Sequence, residues 1–259
     1  MTEHVSDLTE DAFLGGQLRL TQPRSGHRAG HDAILLAAAT PARAGARVVE
    51  LGAGVGAAGL ALARRVSGID LALVEIDAEL ARLAQANAAA NAISAVAIVL
   101  DVTANAQAFT AKGLAPDSVD VVLMNPPFND PVRHRGSPDQ ARRNAHVATE
   151  ETLRAWVHAA RRMLRSGGVL TLIWRADGLA EVLAALSHGF GSLSVLPVHG
   201  EAGMPAIRVL VSAIKGGRAP TRIFPGLMLN ETRTPKKDSQ ETLREILTGR
   251  AVLPLVEWI

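Results

Sequence analysis

A chain of 259 residues with 48% apolar side chains is long enough to bury a full α/β core and too apolar to remain disordered. It contains no cysteine, which excludes disulfides, thiolate metal sites and a cysteine nucleophile. The net charge of +2 hides an asymmetry: residues 1–124 carry 9 basic and 13 acidic side chains, residues 125–259 carry 18 and 12.

Residues 1–30 hold four glycines and few periodic signals, and read as an extended or loop-rich N-terminal arm. Met1 to Glu10 has neither a basic n-region nor an apolar h-region, and no apolar run approaches a bilayer span, so a cytoplasmic protein is expected. Asp32 is placed to cap a helix over Ala33–Ala39 that ends before Pro41. From residue 46, strand-like runs alternate with helical stretches. The strands are Val48–Leu51, Leu71–Glu75, Val96–Leu100, Val119–Met124, Val169–Trp174, Leu193–Val198 and Ile207–Ile214. The helices are Ala57–Val66, Ala78–Ala90, Leu153–Leu164 and Leu179–Leu186. Strands apolar on both faces and spaced by single helices imply a mostly parallel seven-stranded sheet with helices on both faces. The last two strands have no helix between them and would close the sheet as an antiparallel hairpin. Residues 31–215 form the main domain in this reading, and 216–259 a loop-like C-terminal extension packed on it, with a short helix over Glu241–Leu247.

Two stretches carry chemistry. The first strand runs into Glu50-Leu51-Gly52-Ala53-Gly54-Val55-Gly56, and the second ends in Glu75, 19 residues after Gly56. Glycines let a backbone turn tightly and approach a ligand, and a carboxylate at that distance can hold two ribose hydroxyls. Gly54-x-Gly56-x-x-Gly59 also fits a dinucleotide loop, so a nicotinamide oxidoreductase competes with a nucleoside-sulfonium site. Glu50 favours the second, because a carboxylate gains nothing beside pyrophosphate. Asp101, after the third strand, is placed to accept from an adenine amine.

The second stretch, Asn125-Pro126-Pro127-Phe128, follows the fourth strand. Neither proline can donate to a ladder, so the strand stops and the loop is stiff. The Asn125 carboxamide oxygen and the Pro126 carbonyl can accept both hydrogens of an exocyclic amine, with Phe128 stacked on the ring that bears it. A plain strand-ending turn with a buried Phe competes with this. Arg133, Arg135, Arg142 and Arg143 follow with Gly136 and Pro138 among them, and read as a basic loop suited to a polyanion. No His, Asp or Glu spacing points to a metal.

These two stretches together resemble the class I S-adenosylmethionine-dependent methyltransferases that act on amino groups. Leu14-Gly15-Gly16, Gln22-Pro23, Gly26-His27-Arg28-Ala29-Gly30-His31-Asp32-Ala33, Arg175-Ala176-Asp177 and Pro205-Ala206-x-Arg208-Val209 are similar to bacterial valine-tRNA adenine-N6 methyltransferases. That resemblance implies a Rossmann-like α/β fold, S-adenosylmethionine as cofactor, and tRNA as partner with no membrane. It places Glu50 near the methionine moiety, with Gly52, Gly54 and Gly56 along the cofactor. Glu75 falls to the ribose, Asp101 to the adenine, and Asn125, Pro126 and Phe128 to the target base. Phe at the fourth motif position also occurs in guanine-N2 rRNA enzymes, and the same clamp fits a protein glutamine amide. A non-catalytic RNA-binding protein on the same fold is the remaining alternative.

Overall fold

The structure, a computed structural model, describes residues 8–25, 28–127, 138–230, 244–246, 248–249 and 251–258; for residues 138–149, 257 and 258 it describes the backbone alone.

The first described element is a hairpin. Strand β1 (Leu8–Phe13) pairs antiparallel with β2 (Leu18–Pro23), from Leu8 opposite Pro23 to Phe13 opposite Leu18. The loop-rich arm expected over residues 1–30 is thus largely a two-stranded ribbon. An isolated ribbon is marginal in water, and here it is held by burial of Leu18 and Leu20 in the main core. Helix α1 (His31–Ala39) follows. Its cap is the extended Gly30, not Asp32 as expected, because the Asp32 carboxylate is turned sideways to accept from Arg208 Nε at 3.0 Å.

The α/β succession then runs β3 (Arg47–Leu51), α2 (Ala57–Arg65), β4 (Asp70–Glu75), α3 (Ala78–Ala90), β5 (Ala95–Val99), α4 (Ala106–Ala111) and β6 (Val119–Met124). It continues through α5 (Pro138–Met163), β7 (Leu164–Arg175), α6 (Leu179–Leu186), β8 (Phe190–Glu201), β9 (Ala206–Lys215), β10 (Arg222–Ile223) and β11 (Leu227–Asn230). Among the described residues, nine strands form one sheet in the order β10-β8-β9-β7-β6-β3-β4-β5, with β11 also on β8. Strands β5, β4, β3, β6 and β7 are parallel; β9 is antiparallel to both β7 and β8. All seven strands read from the sequence are present, and the two additions, β10 and β11, line the outer side of β8.

Two apolar clusters cover the two faces. Val48, Leu71 and Leu73 pack with α1, α2 and the hairpin's leucines, while Val49, Leu51 and Val122 pack with Phe109, Trp156 and Met163. Each buried aliphatic side chain contributes about 1.5–3 kcal/mol. Helix α5 begins at Pro138, whose missing N–H is no loss at a first helical position. Arg142 and Arg143 therefore lie on a helix, not in the basic loop expected from Arg133 onward.

Helix α3 and its C-cap residue Asn91 bind two strand edges with three carboxamides. Asn87 accepts from Thr21 N at 2.8 Å and donates to Thr21 O and Val55 O, both at 3.0 Å. One turn on, Asn91 accepts from Arg19 N at 2.9 Å and donates to Arg19 O at 2.7 Å. Gln85 does the same for β5, donating to Ala95 O at 3.1 Å and accepting from Ala97 N at 2.9 Å.

Candidate active site

The order of the sheet reverses between β3 and β6, which opens a crevice beyond their carboxyl ends. Leu51 is in register with Val74 on β4 and Met124 on β6. The next residue on each strand is Gly52, Glu75 and Asn125, so these three stand level along the crevice.

The glycine loop connects β3 to α2 with three left-handed residues: Gly52 at φ +66°, Gly54 at +55° and Gly56 at +86°. Side chains are strained there, but the three differ in surroundings. A Cβ on Gly52 would run into the Trp156 ring, and one on Gly56 would press on Leu73 and Leu60. A Cβ on Gly54 would meet no described atom within 4 Å. Gly52 and Gly56 are thus closed in by the core, and Gly54 is the open point of the loop.

Glu75 ties that open point to β4. Its Oε2 accepts from Gly54 N at 2.8 Å, and its Oε1 accepts from Ile76 N at 2.8 Å and Asp77 N at 3.0 Å. A carboxylate has about four acceptor positions, so Oε2 keeps one for a ligand hydroxyl. Asp101 is exposed two residues past β5. Its Oδ1 accepts from Thr103 N at 2.7 Å and Thr103 Oγ1 at 2.8 Å, and its Oδ2 has no partner among the described residues.

Glu50 sits apart from these acids. It is only 4% exposed, and its Oε2 accepts from Gly59 N at 2.7 Å beneath the first turn of α2. Burial pushes its carboxyl up to about 8, aided by the charge of Glu75 and opposed by the N–H groups of Gly59 and Ala58. This seat holds the start of α2, and so supports the loop from below. Gly59 is explained at the same time: a Cβ there would lie 2.7 Å from Glu50 Oε2 and from Leu73 Cδ2. The third glycine of the dinucleotide-like spacing is a packing requirement of this carboxyl group.

Asn125 is half-buried, Pro126 buried and Pro127 exposed. Among the described residues no group donates to or accepts from the Asn125 carboxamide. Phe128, Arg133 and Arg135 lie outside the described residues, as do the side chains of Arg142 and Arg143.

The sequence reading passed over three contributors. Trp156 of α5 floors the loop under Gly52, Asn87 of α3 holds the Val55 carbonyl, and Gly59 seats Glu50. Only Gly59 left a signal, in the spacing that resembled a dinucleotide loop.

The methyltransferase small domain family model matches residues 27–201. The chain belongs to that family. A protein of Dickeya chrysanthemi named tRNA1(Val) (adenine(37)-N6)-methyltransferase is 28% identical over 84% of this chain and 84% of its own length. A crystal structure from Agrobacterium tumefaciens, described as a predicted O-methyltransferase, superposes with a TM-score of 0.67 at 33% identity, covering 86% of this chain and 98% of the other. The 16S rRNA N2 G1207 methyltransferase of Thermus thermophilus, solved with S-adenosylmethionine and guanosine, shares the fold at a TM-score of 0.54 and 23% identity over 80% of this chain and 50% of its own. S-adenosylmethionine is the methyl donor of this methyltransferase. The crevice fits it: Gly54 leaves room for a close approach, Glu75 keeps an acceptor, and Asp101 Oδ2 is unengaged among the described residues. The expected class I methyltransferase fold, with its closing antiparallel pair, is the one present.

Proposed function

We propose that the protein methylates an exocyclic amine on a nucleobase, adenine N6 in tRNA being the substrate. The observation that carries this reading is the Asn125 carboxamide. It ends β6 level with Gly52 and Glu75, makes no hydrogen bond among the described residues, and is followed by two prolines. Among the described residues nothing competes for its oxygen, so a bound amine can donate to it.

The adenine amine is a weak nucleophile because its lone pair is delocalised into the ring. Donation of one N–H to Asn125 Oδ1 and the other to the Pro126 carbonyl draws electron density back and aims the lone pair. The buried Pro126 ring keeps its carbonyl in place. S-adenosylmethionine supplies the methyl group, carried on a positively charged sulfur. The remaining work is positioning and electrostatics, with no strong base required. Phe128 is assigned to stacking on the base, which is worth about 1–3 kcal/mol and offsets unstacking it from the RNA. Glu75 is assigned to the ribose of the donor, Asp101 to its adenine, and Gly52, Gly54 and Gly56 to the wall beside it. Glu50 serves the donor through the loop it supports. Arg133, Arg135, Arg142 and Arg143 are assigned to RNA phosphates.

The relative named for adenine-N6 methylation of tRNA supports the substrate. A hydroxyl acceptor, as the description of the Agrobacterium tumefaciens structure suggests for that protein, would use only one of the two acceptors. The test is transfer of labelled methyl to unmodified tRNA, with rRNA and release factor as parallel acceptors, followed by nucleoside identification. N6-methyladenosine in tRNA is expected. Methyl-guanosine in rRNA, or methyl-glutamine in release factor with tRNA unlabelled, would overturn the assignment.

A further inference from the structure

Helices α5 and α6 enclose a cleft of about 560 Å³ that the methyl-transfer site does not use. Its rim carries Arg154, His158 and Arg161 from α5, and Ser187 and His188 from the end of α6. Val157, Ala184 and Ala185 complete its lining, which includes no acidic side chain among the described residues. The three α5 residues follow one another four and three positions apart, which stacks them on one helix face at intervals of about 6 and 4.5 Å.

These groups differ in how far they are already engaged. Arg154 is exposed and shared with Glu150 at 2.5 Å. Arg161 and His158 have no hydrogen bond or ion pair among the described residues. Arg161 is nonetheless seated, because its stem lies over Gly189. That residue has φ +92°, and a Cβ on it would fall 2.8 Å from Arg161 Cδ and 3.0 Å from its Nη1. Ser187 Oγ donates to Ala184 O at 2.8 Å, so it accepts from His188 Nδ1–H at 3.0 Å. In the neutral ring that bond makes His188 Nε2 an acceptor, so the donors the cleft offers to an anion are its arginines.

We propose that this cleft is a second contact for the phosphodiester backbone of the RNA substrate. Arg154 and Arg161, seven residues and about 10 Å apart along α5, suit an extended polyanion better than a compact one. Trp156, which packs under Gly52, projects from α5 about 200° around the helix from both Arg154 and His158, so the cleft lies across α5 from the cofactor loop. The proposal rests on the RNA reading above and extends it to a footprint: recognition includes parts of the molecule remote from the methylated base.

The experiment compares full-length wild type with Arg154→Glu/Arg161→Glu and with Gly189→Ala. Binding of tRNA is measured across a salt series, and methyl transfer is followed separately. The double variant should bind tRNA about tenfold or more weakly, with a salt slope reduced by about 1–2. It should raise KM for whole tRNA with kcat and S-adenosylmethionine affinity unchanged. Gly189→Ala, by displacing Arg161, should shift binding in the same direction. Unchanged affinity and slope in a folded double variant would overturn the proposal. So would selective displacement of RNA by inorganic phosphate over chloride at equal ionic strength, which would mark a discrete anion site. Failure of the RNA reading would show differently, as wild type that transfers no methyl to any RNA.

Discussion

The Glu50 carboxyl group accepts the Gly59 N–H at 2.7 Å from within the core, so the acid expected near the donor's methionine moiety also lies beneath the helix that follows the glycine loop. Burial raises its proton affinity, and the sign of the consequence is fixed. The folded value of about 8 stands above the ordinary 4.5, so the native state holds a proton that the unfolded chain releases. Stability from this group is full below 4.5 and is lost as pH rises toward 8, by an amount on the order of a few kcal/mol. Glu50→Gln keeps an acceptor for Gly59 and removes the ionisation. Urea unfolding at several pH values should show a decline between pH 4.5 and 8 in wild type and a flatter profile in the variant. Equal slopes would refute the assignment.

The loop glycines should separate by surroundings. Gly52→Ala combines a left-handed backbone with a collision against Trp156 and should cost about 2–4 kcal/mol of stability. Gly54→Ala carries only the backbone strain, about 1–2 kcal/mol, with its methyl group standing in the crevice. It should fold and lose affinity for S-adenosylmethionine. Thermal unfolding and calorimetric titration of both variants test this; a Gly54→Ala protein that binds the donor normally would contradict the placement of the crevice.

Asn125→Ala removes a side chain that makes no hydrogen bond among the described residues. Stability should change by no more than about 0.5 kcal/mol, while turnover falls by about 100-fold or more. Donor affinity should persist. Lost donor affinity with intact folding would reassign Asn125 from the acceptor amine to the donor.

Asn87 joins β2 to the glycine loop through Thr21 and Val55. Its replacement by Ala leaves the buried Val55 carbonyl without that donor, at about 1–3 kcal/mol, and frees the part-buried Thr21 groups to water. Hydrogen exchange should speed up at Thr21, and donor affinity should fall with it. Faster exchange without any change in donor affinity would uncouple the hairpin from the loop.

How much of this was legible depends on where each signal resides. The parallel strands were legible because each is a short apolar run ended by a polar or glycine residue. The β1–β2 hairpin was not: its inward signal is Phe13 on one strand and Leu18, Leu20 and Gln22 on the other, and its outer edge is satisfied by amides 66 and 72 residues away. Strand β10 is two exposed residues between prolines and has no pattern to read. The start of α5 did leave a trace, Ser137-Pro138-Asp139, which the surrounding arginines obscured. In the site, the level of Gly52, Glu75 and Asn125 followed from strand order. The direction of Glu50 did not, because a strand buried on both faces does not reveal which face a lone acid occupies.

The three carboxamides of α3 also make the molecule sensitive to age. Amides are among the thermolabile side chains, and hydrolysis of Asn87 would replace an NH₂ donor with a carboxylate oxygen facing the carbonyls of Thr21 and Val55. Repulsion would then stand where two hydrogen bonds had been. Loss of this one amide would loosen the N-terminal ribbon and the donor loop together, while the ladders of the central sheet, which do not involve it, stayed in place.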